Sequence, residues 1–286
     1  MRLVTFSDAG AARVGAVVDD EVVDLSRVAP PAMLEFLAAG DVALDAARRA
    51  LGSAPRLPLA TVRLHAPVPR PPKFLAIFLN YPTHAAEVGQ GAPDFPVFFN
   101  KQSTCVIGPH AAIHVPPESM LVDYEGELAV VIGRRCRRVP AARAAEVIAG
   151  YTIADDVTVR DWQVRAPTVT LGKSWDTHGP LGPWLVTGDE VGDPHALRLR
   201  TLVNGEVRQD VVTGEMLVDC FRQVEFLSTA FTLEPGDVIA TGTPAGIGAT
   251  QNPPRFLRAG DVVRVEIDAL GALENPVVDE PRPEVA

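Results

Sequence analysis

Three acids alternate in Asp123-Tyr124-Glu125-Gly126-Glu127, directly before the apolar run Leu128-Ala129-Val130-Val131-Ile132. That run is partly β-branched and reads as a buried strand ended by Gly133. Side chains two apart on a strand share a face, so Asp123, Glu125 and Glu127 are expected along one side of it. Carboxylates crowded on one face repel each other and resist desolvation, and a bound cation relieves both effects. The alternative is a strand end whose acids point to water.

Other residues could extend such a site. His84 and Glu87 lie three apart, so on a helix they share a face, and a carboxylate beside an imidazole orients it as a general base. A plain surface pair is the competing reading. Asp155-Asp156 closes the apolar stretch Tyr151-Thr152-Ile153-Ala154. Adjacent residues at a strand end point to opposite faces, so one of the two can readily join the first cluster, and spacing does not choose which. Lys173 is a lone cation in an apolar segment, fit for a salt bridge or for a substrate carboxylate. Glycines recur at Gly242, Gly246 and Gly248, where the backbone could turn tightly against a ligand or simply form a loop.

Several familiar chemistries find no support. Gly172-Lys173-Ser174 resembles the end of a phosphate-binding loop, but Pro167 stands where its first glycine belongs. The sequence has no GxSxG, HExxH or GxGxxG motif.

The elements that must position these residues are mostly strands. Short strands are expected at Val14–Val18 and Val22–Leu25 around an Asp19-Asp20 turn. A helix should follow Pro30-Pro31 through Leu37, with a second over Leu44–Leu51. Residues 67–73 hold four prolines and read as a stiff linker between a small N-terminal domain (1–66) and a catalytic domain (74–278). Phe74–Leu79 is an expected strand. A short helix should then carry His84 to Val88, with Thr83 as its N-cap and Gly89 as its stop. So short a helix is marginal alone and is expected to order on substrate closure. Further on, Asn204-Gly205 marks a hairpin, and strands are expected at Val238–Ala240 and Val262–Ile267. Helices are expected over Ala141–Val147 and Leu217–Ser228. The acidic, proline-rich tail from Asp279 should fray. This predicts an α+β, mostly β protein.

Composition bounds the partners. The chain has 286 residues, 47% of them hydrophobic and 22% charged, with a formal net charge of -10. Nucleic acid and anionic membrane call for basic surfaces, so neither is expected as a partner. The cluster Arg134, Arg135, Arg137 and Arg138 is expected to be a solvated loop. Cys105, Cys136 and Cys220 are too scattered for a zinc site or disulfide framework, which fits a reducing cytoplasm. Neither a signal peptide nor an 18-residue apolar span is evident.

Taken in order, five blocks resemble the fumarylacetoacetate hydrolase family across roughly residues 70 to 278. They are Asn80 to Glu87, Asp123 to Gly133, Asp156 to Gln163, Lys173-Ser174-Trp175-Asp176 with Gly179 to Pro183, and Thr241 to Gly248. The resemblance implies a mixed β-roll, barrel-like catalytic domain and a homodimer. It implies that Glu125, Glu127 and Asp156 hold a divalent metal, usually magnesium, sometimes manganese or calcium. An all-carboxylate set suits such hard cations. By the same resemblance His84 and Glu87 activate water, Gln163 and Lys173 contact substrate or a developing oxyanion, and Thr243 lies near the substrate carboxylate.

The activity expected is metal-dependent hydrolysis of a carbon–carbon bond in an acylpyruvate-like β-diketo acid. The alternatives are decarboxylation, isomerisation or lyase chemistry on a 2-oxo or unsaturated dicarboxylic acid at the same metal. A non-catalytic protein with a structural cation site is the rival from another class.

Overall fold

The computed structural model describes residues 1–281. In chain order the first strands are β1 (Arg2–Ser7), β2 (Arg13–Val18) and β3 (Glu21–Asp24), followed by α1 (Met33–Ala38), α2 (Asp41–Ala50), β4 (Arg56–Pro58) and β5 (Arg63–His65). Next come β6 (Phe74–Phe78), α3 (Pro82–Glu87), β7 (Val97–Lys101), β8 (Val106–Ile107), β9 (Ile113–Val115), β10 (Val122–Asp123) and β11 (Gly126–Ile132). The centre holds β12 (Ile148–Asp155), β13 (Thr158–Val159), α4 (Arg160–Gln163), α5 (Thr170–Lys173), β14 (Gly179–Thr187) and α6 (Gly188–Val191). The last elements are β15 (Arg198–Val203), β16 (Glu206–Val212), α7 (Cys220–Ala230), β17 (Val238–Ala240), β18 (Val262–Ile267) and β19 (Gly271–Asp279).

The large mixed sheet runs β4-β3-β2-β1-β14-β12-β11-β17-β6-β7 and is open at both ends, so it is not a closed barrel. A second sheet, β16-β15-β18-β19-β9, packs its Leu199, Val265 and Ile267 into the same core as Leu128, Val130 and Ile239 of the first. The protein is α+β and mostly β, as the patterning predicts.

Residues 1–66 share this sheet. β1 pairs antiparallel with β14, and Leu3, Val14 and Phe36 pack in one core with Ala129, Leu185 and Val238. Sheet and core thus run unbroken past the proline-rich stretch.

Local expectations fare unevenly. The Asn204-Gly205 turn joins β15 to β16, and Asp19 takes a left-handed conformation between β2 and β3. Asp219, not Leu217, starts α7: its carboxylate accepts the Arg222 amide as an N-cap. Thr83 does not cap α3, because Pro82 fills the first helical position with its fixed φ and Tyr81 stands before it. Ala141–Glu146 is a 3-10 stretch rather than an α-helix. Asp279 does not fray: it ends β19, and the Glu280 amide donates to the Val115 carbonyl at 2.9 Å. The rest of the expected tail, residues 282–286, lies outside the described residues. Among the described residues, no helix is long and apolar enough to cross a membrane.

Candidate active site

Two neighbouring strands carry the acids. β11 and β12 pair antiparallel with Gly126 opposite Asp155, so the start of one strand lies beside the end of the other. Glu125 and Glu127 flank Gly126 and alternate onto one side. The Asp156 amide donates to the Glu125 carbonyl at 2.8 Å, which ties the third acid to the first. Carboxylate oxygens of Glu125, Glu127 and Asp156 all lie within 4.8 Å of one another, and all three residues are buried. This group could hold a metal ion.

Asp123 does not join them. The expected continuous strand breaks between β10 and β11, and the Asp123 carboxylate turns to the amides of Gly248 (2.7 Å) and Ala249 (2.9 Å) and to Arg160 Nε (2.9 Å). Asp155 points away as well and accepts the Glu125 amide at 2.8 Å.

Cations of the chain meet part of this charge. Lys173 Nζ, at the end of α5, lies 2.6 Å from both Glu125 and Asp156. Arg160 reaches Glu125 at 2.7 Å, and Lys101 reaches Asp156 at 2.6 Å. Burial works to raise the Glu125 pKa, yet Lys173 and Arg160 outweigh it and hold the group low. Five buried carboxylates (Asp123, Glu125, Glu127, Asp155, Asp156) thus face three cations (Lys101, Arg160, Lys173). The two surplus negative charges equal what one divalent cation neutralises. Glu127 and Asp155 bear the surplus. Burial, with repulsion from Asp156 and Glu125, pushes Glu127 well above the usual carboxylate range, and burial raises Asp155 to about 7. Among the described residues no cation pairs with Glu127, whose carboxylate accepts the Gly242 amide at 2.8 Å. The charge count and the all-oxygen donors fit a hard divalent cation.

A cavity of about 490 Å³ opens onto this cluster and is lined by Glu125, Glu127, Lys173, Gln163, Thr243 and His84 among others. His84 lies 3.1 Å through Nδ1 from Glu87, whose other oxygen accepts the Gly246 amide (2.9 Å) and the Thr250 hydroxyl (2.5 Å). Burial works to raise the Glu87 pKa, but these three hydrogen bonds hold it below its ordinary value. In this structure the segment carrying His84 is docked, with Tyr81 and His84 buried. Tertiary contacts supply what so short a helix lacks.

The fumarylacetoacetate (FAA) hydrolase C-terminal family matches residues 73–278. The chain belongs to this family. It is 43% identical to the oxaloacetate tautomerase fahd2, mitochondrial, of Xenopus laevis, over 97% of this chain and 90% of that one. The fumarylacetoacetate hydrolase of Exiguobacterium antarcticum superposes with a TM-score of 0.87 at 37% identity, covering 98% of this chain and all of that one. The maleylpyruvate hydrolase of Sphingobium sp. SYK-6, solved with manganese(II) and pyruvate, gives 0.83 at 34% identity over 98% of this chain and all of that one. The protein is thus an enzyme of a family whose members hydrolyse, isomerise or tautomerise, which sets aside the non-catalytic rival.

Thr243 and Gln163, which the resemblance places near the substrate, both line the cavity. The Thr243 hydroxyl donates to the Gly126 carbonyl (3.1 Å) and accepts from Gln209 (2.8 Å), so its proton is committed to the protein. Gln163 lines the cavity, and its Oε1 accepts from Arg160 at 3.2 Å, leaving its NH2 to donate. Sequence reasoning missed Lys101, whose only signal is a cation closing the strand Val97-Phe98-Phe99-Asn100-Lys101. It also passed over Arg160, beside Asp161, and Arg165, between Val164 and Ala166. Of the arginine cluster, Arg137 donates to the Ser228, Thr229 and Ala230 carbonyls and caps α7, while Arg134 and Arg135 pair with Asp41 and Glu234 at the surface.

Proposed function

We propose that this enzyme moves a proton on a 2-oxo dicarboxylate, interconverting the keto and enol forms of an oxaloacetate-like substrate. The observation that carries the reading is that His84, paired with Glu87, lines the same cavity as Glu125, Glu127 and Lys173. Glu125, Glu127 and Asp156 would hold magnesium, or manganese or calcium, which polarises a 2-oxo group and acidifies the neighbouring C–H. Glu87 is held ionised and can only accept, so His84 donates from Nδ1. That leaves the lone pair on Nε2 to take a proton from carbon and return it. Lys173 Nζ and the Gln163 NH2 are the donors available to the oxygen on which enolate charge develops. The 43% identity to an oxaloacetate tautomerase supports this substrate class.

A second reading, hydrolysis of an acylpyruvate-like β-diketo acid, is favoured by the maleylpyruvate hydrolase neighbour solved with manganese and pyruvate. There Nε2 would take its proton from water, and the product enolate would leave from the same donors. Decarboxylation would need neither proton abstraction nor water. A homodimer and a cytoplasmic setting belong to the proposal too, the latter because Cys105, Cys136 and Cys220 are buried free thiols.

The test follows deuterium entry at C3 of oxaloacetate, carbon dioxide release, and pyruvate release from acylpyruvates, each with magnesium or manganese. Tautomerisation predicts fast C3 exchange that His84→Ala and Glu87→Ala each slow strongly, the double variant being little worse than the worse single one. Exchange no faster than buffer would sink the proposal, and pyruvate release would install the hydrolytic reading.

A further inference from the structure

The charged or chargeable side chains lining the cavity are His84, Glu125, Glu127, Arg160, Arg165 and Lys173. Lys173 is held between Glu125 and Asp156. Arg160 is held between Asp123 and Glu125, with Nη2 alone left unpartnered. Arg165 differs from both. Among the described residues its one carboxylate neighbour is Asp161, at 3.9 Å, where an ion pair this long and open to water attracts weakly. Its guanidinium lies 3.7 Å from the centroid of the Trp162 ring, and Trp175 meets that ring edge-on with centroids 4.9 Å apart. Stacking fixes the direction of the group without neutralising it. Its neighbours along the cavity wall, Val164, Ala166, Pro167 and Val169, are apolar. A carboxylate arriving there finds one oriented cation among apolar side chains, with the Gln163 NH2 as a neutral donor nearby.

We propose that Arg165 binds the distal carboxylate of the substrate and so determines specificity for 2-oxo dicarboxylates over 2-oxo monocarboxylates. The inference rests on the proposed function in taking the 2-oxo acid end to sit at Glu125, Glu127 and Lys173. With that end fixed at the floor, a second carboxylate must be met elsewhere on the wall, and Arg165 is the cavity-lining cation whose charge is not already matched.

The experiment compares oxaloacetate with 2-oxobutyrate, which carries a methyl group where oxaloacetate has its distal carboxylate. Dissociation constants with magnesium present are measured by calorimetry for wild type, Arg165→Ala and Arg165→Lys, after melting curves show that the variants fold. Wild type is expected to prefer oxaloacetate. Arg165→Ala should weaken oxaloacetate about tenfold or more while leaving 2-oxobutyrate unchanged, as expected for loss of a charged hydrogen bond. Arg165→Lys should recover part of the preference. Equal weakening of both ligands, an unchanged preference in Arg165→Ala, or no preference in wild type would overturn the assignment. Deuterium exchange at C3 is read in the same samples. A binding preference that follows Arg165 without any exchange would support the carboxylate site while removing the tautomerase reading.

Discussion

Glu127 is the acid of the triad without a cationic partner among the described residues, and it holds one of the two surplus charges in the cluster. Glu127→Gln removes a buried carboxyl whose ionised form burial and its acidic neighbours disfavour, while keeping size and an acceptor for the Gly242 amide, so the metal-free protein should be as stable as wild type or more so. Metal should stabilise wild type by about 2.7 kcal/mol at a hundredfold excess over Kd. In the variant that rise in Tm should vanish, and a rise of wild-type size would remove Glu127 from the ligand set. His178 permits a pH test. Its Nε2 donates to the His114 carbonyl at 2.7 Å, its Nδ1 is buried without a partner, and burial lowers its pKa to about 4. A depressed pKa stabilises fully above the unfolded value near 6.5, and the contribution drains away as pH falls toward 4. Wild type should therefore lose on the order of 3 kcal/mol more than His178→Gln across that window. Asp155 and Glu127, whose pKa values are raised, tilt both proteins equally the other way, so the difference between the two curves is the quantity to measure. Parallel curves would contradict the buried neutral imidazole.

Elements show where the sequence is readable and where it falls silent. Turn dipeptides mark their hairpins because Asn and Asp tolerate left-handed backbone locally, as Asp19 and Asn204 do. The alternation of Glu125 and Glu127 survives into the structure because it depends only on the strand period. The break before Gly126 does not show in the sequence, since it is made by distant amides at Gly248 and Ala249 that draw Asp123 aside. Lys101 is equally silent, because its partners Asp156 and His178 lie far along the chain, just after β12 and just before β14. The same holds for the docking of α3, which the loop Thr241–Gly248 provides. Gly246 in that loop has φ +109° and gives its amide to Glu87, and a Cβ there would collide with the Arg208 carbonyl. Gly246→Ala should cost about 1–3 kcal/mol and, by displacing the anchor of Glu87, lower turnover more than metal affinity. Turnover and metal affinity falling together would mean that the loop supports the whole site rather than the dyad.

At the scale of the molecule, the family match begins at residue 73, while the large sheet and its core include residues from before that point. β1 covers the edge of β14 through Arg2–Val186 and Leu3–Leu185, and the Met1 carbonyl accepts the Thr187 amide at 3.0 Å. β14 in turn pairs with β12, whose end carries Asp155 and leads into Asp156. A chain beginning at Pro67 would leave the Leu185–Val186 part of β14 as an uncovered edge of buried, apolar residues, which promotes self-association, and would strip Leu3, Val14 and Phe36 from a shared core. Such a chain is expected to aggregate or to melt well below the intact protein, with metal affinity reduced because β12 loses its outer support. Size-exclusion chromatography and a melting curve decide the matter. A monodisperse species with native-like Tm and metal binding would show that residues 1–66 fold apart after all, and that the continuity of sheet and core contributes little to the site it adjoins.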